Sequence, residues 1–477
     1  MHRILLVNAE YPDSRYDYAA LPVGLGYLSE TLSKNGIEHK IFDLNLGGGY
    51  EKLKKTVSSY GPDIIGYSMM SFRYKHNYSI LNALKKDFPE IKIVAGGPHI
   101  STFRKNALSD CRAIDIGVMM EGEEALVEIC MDKPPAGING SIYRDGDGNI
   151  ILTGQRELIR DLDRTPFPRY GKLDIDAYPK EIAIVTSRGC PYKCIFCPIA
   201  SVAGDAFRPR SAPNVLDEVE FWYKKGVRDF SIADDTFNFI RERVRAICNG
   251  IKNRGMSGLR ICCGNGIRAD RVDRDLLVGM KNAGFYLLAF GVESGSDKVL
   301  KTLKKGEDRE KIEEAIDLAC RLGFWVELFF LIGSPGETWA DFEKSVKLAL
   351  RYPVYDAKFY NLIPFPNTEL YKWVEENDYF LISPPGYLDD VMHHVNDPIF
   401  ATPELSAGER KRAFRYASGK IRQHTEKRRT EFEKGLIKEK LDDYYGIRGM
   451  PADLIARLYC LKWFNLMFKW IKKFKRR

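Results

Sequence analysis

Cys190, Cys194 and Cys197 stand on one short segment that begins Ser187-Arg188-Gly189. Three thiolates at this spacing can wrap a cubane iron–sulfur cluster, which normally takes four cysteine ligands. Three ligands leave one iron without a protein donor, open to a substrate or cofactor. Zinc is the other metal to consider, but no histidine lies nearby and no fourth ligand is evident. Three unliganded cysteines on one loop is the bland alternative. Other residues could do chemistry at the ends of apolar runs. Asp234 and Asp235 form an acidic pair that could equally cap a helix. Glu293 and Ser294 follow a long apolar run, and Arg208 and Arg210 follow the cysteine segment. Asn265 and Arg268 follow another run. The adjacent His393 and His394 have no partner at ligand spacing. Cys262 and Cys263 alternate faces on a strand, and Cys111, Cys130, Cys248, Cys320 and Cys460 are dispersed.

These residues need a frame. The first ~130 residues alternate apolar runs with amphipathic stretches, the βαβ signature of a parallel sheet. Strands are expected over 3–8, 40–44, 63–70, 92–96 and 114–119, with helices over 23–34 and 78–87. This is a doubly wound, Rossmann-like α/β domain over 1–135, whose ligands bind beyond the carboxyl ends of the strands. Residues 136–180 are richer in Pro, Gly and Asp and read as a hairpin and linker. A second series of strands follows at 182–187, 229–233, 259–264, 286–292, 324–332 and 357–363. Helices at 215–225, 310–322 and 339–351 complete a partial or full β/α (TIM-like) barrel over 181–378. Residues 379–477 form a helical extension, with a charged helix over 407–440.

The cysteine loop, with Phe196 before the third cysteine and a strand before the first, resembles the signature of radical S-adenosylmethionine (SAM) enzymes. In that family the open iron of a [4Fe-4S] cluster binds the amino and carboxylate groups of SAM. Reduction then cleaves SAM to a 5′-deoxyadenosyl radical. The resemblance assigns Cys190, Cys194 and Cys197 to the cluster. It extends to Asp234 after the second strand, Glu293 and Ser294 after the fourth, and Gly333 after the fifth. Arg210 falls where relatives carry a basic residue, and Asn265 is a further candidate for SAM.

The first domain resembles the cobalamin-binding module often fused before this barrel. The matching positions include Ser68, Gly96, Gly97, Glu121 and Gly122. Cobalamin enzymes with a histidine lower ligand carry it in an Asp-x-His-x-x-Gly loop. Here Asn45 stands at that position, so bound cobalamin should lack a protein histidine ligand. Relatives have Gly where this chain has Met120, which leaves open a module that keeps the fold without the cofactor. His99, after Gly96 and Gly97, is expected to line the corrin or cap a helix. Together the resemblances cover about 1–371.

The chain has 477 residues, 44% hydrophobic and 29% charged, which excludes a disordered or disulfide-scaffold protein. Its net charge is +8, from 73 basic and 65 acidic residues. The eight basic residues of 457–477, among Trp and Phe with no acidic residue, account for all of it. The neutral body argues against nucleic acid. The tail matches an interfacial helix on anionic lipid or a helix docked on the body. With no signal peptide or spanning run, a cytoplasmic protein, peripheral on the membrane, is expected. The expected activity is cobalamin-dependent radical methylation of an unactivated carbon. The substrate would be a lipid, isoprenoid, tetrapyrrole or natural product, with flavodoxin or ferredoxin as electron donor. The alternatives are radical cyclisation, ring contraction, coupling or deoxygenation without methyl transfer, and a non-catalytic iron–sulfur or cobalamin-binding protein.

Overall fold

An apolar run without alternation needs cover on both faces, and residues 4–7 receive it. Leu5 and Val7 pack with Ile65 and Tyr67 in one core, while Ile4 and Leu6 pack with Ile64 and Val94 in another. The computed structural model describes residues 2–11, 20–390, 397–445, 449 and 453–455. Its first sheet contains β1 (Ile4–Asn8), β2 (His39–Asp43), β3 (Ile64–Ser68), β4 (Lys92–Gly96), β5 (Ile116–Val118), β6 (Ser141–Arg144) and β7 (Ile150–Leu152). The spatial order is β2-β1-β3-β4-β5-β6-β7. The first five strands are parallel, in the doubly wound order whose switch point lies between β1 and β3. The hairpin expected within 136–180 is β6–β7, and it extends this same sheet in antiparallel sense. It pairs the otherwise open edge of the short strand β5.

The second sheet is formed by β8 (Glu181–Ile184), then, after a two-stranded ribbon of β9 (Ser187–Arg188) and β10 (Arg208–Pro209), by β11 (Asp229–Ile232), β12 (Arg260–Ile267), β13 (Phe285–Glu293), β14 (Trp325–Ile332) and β15 (Asp356–Asn361). The six long strands are parallel, in the order β8-β11-β12-β13-β14-β15. Chain order equals spatial order, so this is an open, partial β/α barrel. Cys263 is buried in its core and Cys262 is half-buried.

The long helix Ala407–Tyr445 packs on the β15 edge. Near its start Arg410 is fully buried, donating to the oxygens of Ile332 (3.0 Å), Asn361 (3.3 Å) and Phe400. Gly333 has no side chain because the Arg410 guanidinium occupies that space. The two sheets are tied by Tyr178 Oη donating to Asp43 (2.8 Å), Tyr27 Oη to the Val185 oxygen (3.3 Å) and the Lys75 amide to Asp389 (2.9 Å). Among the described residues no helix is long and apolar enough to cross a membrane. The basic tail at 457–477, His393, His394 and Cys460 lie outside the described residues.

Candidate functional site

A cavity of about 480 Å³ opens where the carboxyl ends of β1, β3, β4 and β5 meet the first loops of the barrel. Ser68, Gly96, Gly97, Glu121 and Gly122 line it from the first sheet; Ser187, Arg188, Ala203 and Asp235 line it from the barrel. Gly97 at its wall must be glycine for the turn: its φ is +94°, and a Cβ there would stand 2.8 Å from the Met69 oxygen. A left-handed residue without that option is Met120, at φ +57°, held by its amide donating to Ser101 Oγ at 2.7 Å. A large cradle of apolar and glycine backbone surface fits a bulky, mostly neutral ring system.

Asn45 is not at the cavity. Its Nδ2 donates to the Ala9 oxygen (2.9 Å) and Asp43 (2.8 Å), and its Oδ1 accepts the Tyr11 amide (2.9 Å). Its side-chain amide braces the loop after β1 instead of lining this cavity. His99, by contrast, is a core residue. It is fully buried, stacked on Tyr74, and shares a 2.6 Å hydrogen bond with Tyr78 Oη. Burial holds its imidazole down to about 3, so it is neutral.

The cysteine loop runs between β9 and β10, and its three cysteines are partly exposed. Backbone bonds fix it at several points. The Gly189 amide donates to Asp235 (3.0 Å), the Ile195 amide to the Leu303 oxygen (3.1 Å), and the Leu370 amide to the Ile195 oxygen (2.9 Å). Burial raises all three thiols, Cys197 to about 11. Thiolates at neutral pH therefore need a metal to hold them. Among the described residues no group of three His, Cys, Asp or Glu surrounds a single-ion position. The donor set of three soft thiolates on one loop fits a cubane, in which each thiolate takes a different iron.

Glu293 ends β13 at φ +63°, where the pairing with β14 slips register. Its carboxylate meets Lys305 Nζ at 3.0 Å. Burial works against the lysine charge, but Glu293 and Glu307 outweigh it and keep the ammonium. Arg268 donates to the oxygens of Lys305 (3.0 Å) and Gly306 (3.1 Å), and stands 3.5 Å over the ring of Tyr192 in the cysteine loop. The structure thus brings Glu293 and Arg268 to the loop. Asn265 is exposed on β12, in the stretch where pairing with β13 breaks register. Asp234 is buried and accepts from the Thr186 amide (2.5 Å), Thr186 Oγ1 (2.5 Å) and Ser187 Oγ (2.6 Å), so it supports the start of the loop from below.

Two other choices turn inward. Ser294 is fully buried and accepts the Ser296 amide at 3.2 Å, and Gly333 is packed on Arg410. Arg210 is 1% exposed, with its donors spent on Glu218, Asn214 (2.6 Å) and the Val185 oxygen (2.9 Å). It is a wall residue. Arg208, two positions earlier, is the arginine that reaches the cavity rim, 2.7 Å from Glu121. Arg188 and Lys305 were not singled out from sequence. Arg188 carried one signal, its place two residues before Cys190. Lys305 carried none, because it reaches Glu293 across the intervening helix Asp297–Thr302.

Two family models match the chain: the B12 binding domain over residues 15–130 and the radical SAM superfamily over 184–349. An uncharacterized methyltransferase of Pyrococcus horikoshii is 28% identical over 372 residues, 76% of this chain and 80% of that protein. The cytidylyl-2-hydroxyethylphosphonate methyltransferase of Streptomyces wedmorensis is 27% identical, over 77% of this chain and 80% of its own. The anaerobic magnesium-protoporphyrin IX monomethyl ester cyclase of Rubrivivax gelatinosus is 26% identical, over 78% of this chain and 69% of its own. In fold, the chain is similar to the radical SAM methyltransferase TsrM of Kitasatospora setae, with a TM-score of 0.69 at 20% identity. That match covers 79% of this chain and 76% of TsrM.

Proposed function

Because this chain is a radical SAM enzyme that carries a B12-binding domain, we propose that it methylates an unactivated carbon of its substrate. The observation that carries the reading is the shared wall. One cavity touches both the glycine-rich ends of the first sheet and Arg188 and Ala203, which flank the cysteine loop. Cys190, Cys194 and Cys197 would hold the [4Fe-4S] cluster; Ser68, Gly96, Gly97 and Gly122 would cradle the corrin. When bound, the cluster with SAM supplies a carbon-centred radical, and the corrin supplies a methyl carrier.

The chain's own residues prepare this encounter. Asp234 and Asp235 fix the backbone at the start of the cysteine loop. Glu293, paired with Lys305 beside the loop, offers an acceptor for the SAM ammonium group. Asn265 stands exposed at the neighbouring strand. The first sheet closes one side of the cavity, limiting water around a reactive radical. With its side chain committed to Ala9, Asp43 and Tyr11, Asn45 would not be among the residues that hold the corrin.

The substrate class is proposed from sequence alone. The aromatic and basic tail at 457–477 supports a hydrophobic substrate met at an anionic membrane surface. Deletion of the tail should lower sedimentation with anionic vesicles; unchanged sedimentation removes this part of the proposal. An electron donor such as flavodoxin or ferredoxin would reduce the cluster.

A second reading, ring formation without methyl transfer, is supported by the similarity to the cyclase. The two part on their coproducts. Protein loaded with cluster and corrinoid, given SAM, reductant and its substrate, should form both S-adenosylhomocysteine and 5′-deoxyadenosine over repeated turnovers if it transfers methyl groups. 5′-Deoxyadenosine alone would favour the cyclase-like chemistry.

A further inference from the structure

Glu121 was expected to touch the corrin, yet both of its oxygens are taken by protein donors. Oε1 accepts from Arg188 (2.9 Å) and Arg208 (2.7 Å), and Oε2 accepts the Ile159 amide (2.7 Å). The second arm of Arg188 reaches Glu123 at 2.7 Å. The side chains of Arg188, Arg208, Glu121 and Glu123 are 14, 8, 9 and 7% exposed, so solvent screens these pairs little.

The placement of the two arginines gives the network its meaning. Arg188 and Arg208 are directly opposite each other in the β9–β10 ribbon, the two stems from which the cysteine loop springs. Like charges directly opposite on paired strands push the strands apart. Glu121, from the other sheet, neutralises both at once. Its own backbone follows the left-handed Met120 at the cavity wall. One carboxylate therefore joins the wall of the corrin cavity to both stems of the cluster loop.

We infer that Glu121 is a positioning residue that sets the spacing between the cluster loop and the corrin cavity. The inference rests on the cofactor reading above. Without its charge, the two guanidinium groups face each other with only Glu123 left to pair Arg188, and the ribbon splays from the first domain. Each cofactor keeps its own site, while their separation becomes loose.

The test is spectroscopic. Wild-type protein and Glu121→Gln are reconstituted anaerobically with iron and sulfide, loaded with cob(II)alamin and reduced. Pulsed EPR then reads how strongly the paramagnetic cluster speeds relaxation of the cobalt spin, which falls steeply with distance. The expected result is full loading of both cofactors in E121Q with loss of the relaxation enhancement seen in wild type. Equal enhancement in the two proteins overturns the inference. So does an E121Q protein that keeps its cluster but no longer binds corrinoid, since that marks a direct contact. If E121Q does not fold, Arg208→Gln is read the same way: lost enhancement supports the tie, and unchanged enhancement overturns it. A wild-type protein that binds no corrinoid would instead refute the cofactor reading itself.

Discussion

At the end of the first sheet four of the six residues singled out from sequence face open space, Asn45 and Glu121 being taken by protein, whereas at the end of the second sheet more of them face protein. Ser68, Gly96, Gly97 and Gly122 line the cavity. Arg210, Ser294, Asp234 and Gly333 are packed into walls or turns around the barrel mouth. The difference follows from residue type. A glycine at a strand end is chosen for the room it leaves, so its position already indicates a cavity. A polar residue at a strand end has two uses, a ligand contact or the bracing of a loop, and local sequence does not separate them. The barrel mouth must hold a cysteine loop rigidly, and bracing consumes much of its polarity.

The largest effect that would sharpen this contrast is Cys194→Ala. It should abolish cluster loading, read as iron and acid-labile sulfide per chain, while corrinoid binding persists; a cluster that still forms would remove Cys194 from the ligand set. The complementary break is Gly97→Val. A side chain there meets the Met69 oxygen in a left-handed backbone position, costing about 1–2 kcal/mol for the backbone alone. Corrinoid binding, followed by absorbance titration, should be lost with cluster loading intact. Loss of both cofactors in either variant would mean that the two regions do not work as separate sites.

A smaller effect concerns the wall. Glu337 is fully buried beside Gly333 and Ser334, whose amides donate to Oε2 at 2.6 and 3.1 Å, while Oε1 has no partner. Burial pushes this carboxyl up to about 7. Its folded value lies above its unfolded one, so its contribution is fully present below the unfolded value of 4.5 and is lost as pH rises through about 7. Stability to urea should therefore fall between about pH 4.5 and 7, by up to roughly 1.4 kcal/mol per pH unit, and level off above that. Glu337→Gln should flatten that slope, and an unchanged slope would assign the pH dependence elsewhere. The smallest effect is Met120→Gly, which relieves a left-handed methionine at φ +57°. A gain of at most about 1 kcal/mol is expected, with corrinoid binding retained; a loss of binding would give the methionine side chain a role in the cavity.

Much of the frame was legible in sequence. Apolar runs mark the parallel strands, and the helices Val23–Lys34 and Trp339–Arg351 follow their amphipathic patterns to the residue. The three cysteines and the glycine-lined cavity were also legible, because spacing and small size are properties of the chain itself. Charge pairing was not. Arg208 and Arg210 are near-identical in sequence context, yet one reaches Glu121 and the other is sealed with Glu218. The choice depends on which element packs opposite, the loop after β5 or the helix Ala212–Lys224. Asn45 reads as a substituted ligand until the chain at Ala9 and Tyr11 is seen to need its amide. The union of β6–β7 with the first sheet likewise depends on an edge that only the folded sheet exposes.

The central claim is that one chain holds a SAM-cleaving cluster facing a corrin. Its most direct test is the release of 5′-deoxyadenosine, measured anaerobically with reductant, from protein carrying both cofactors, beside the Cys194→Ala variant. Release from the wild type and none from the variant is the expected result. A fully loaded wild type that releases no 5′-deoxyadenosine would contradict the account.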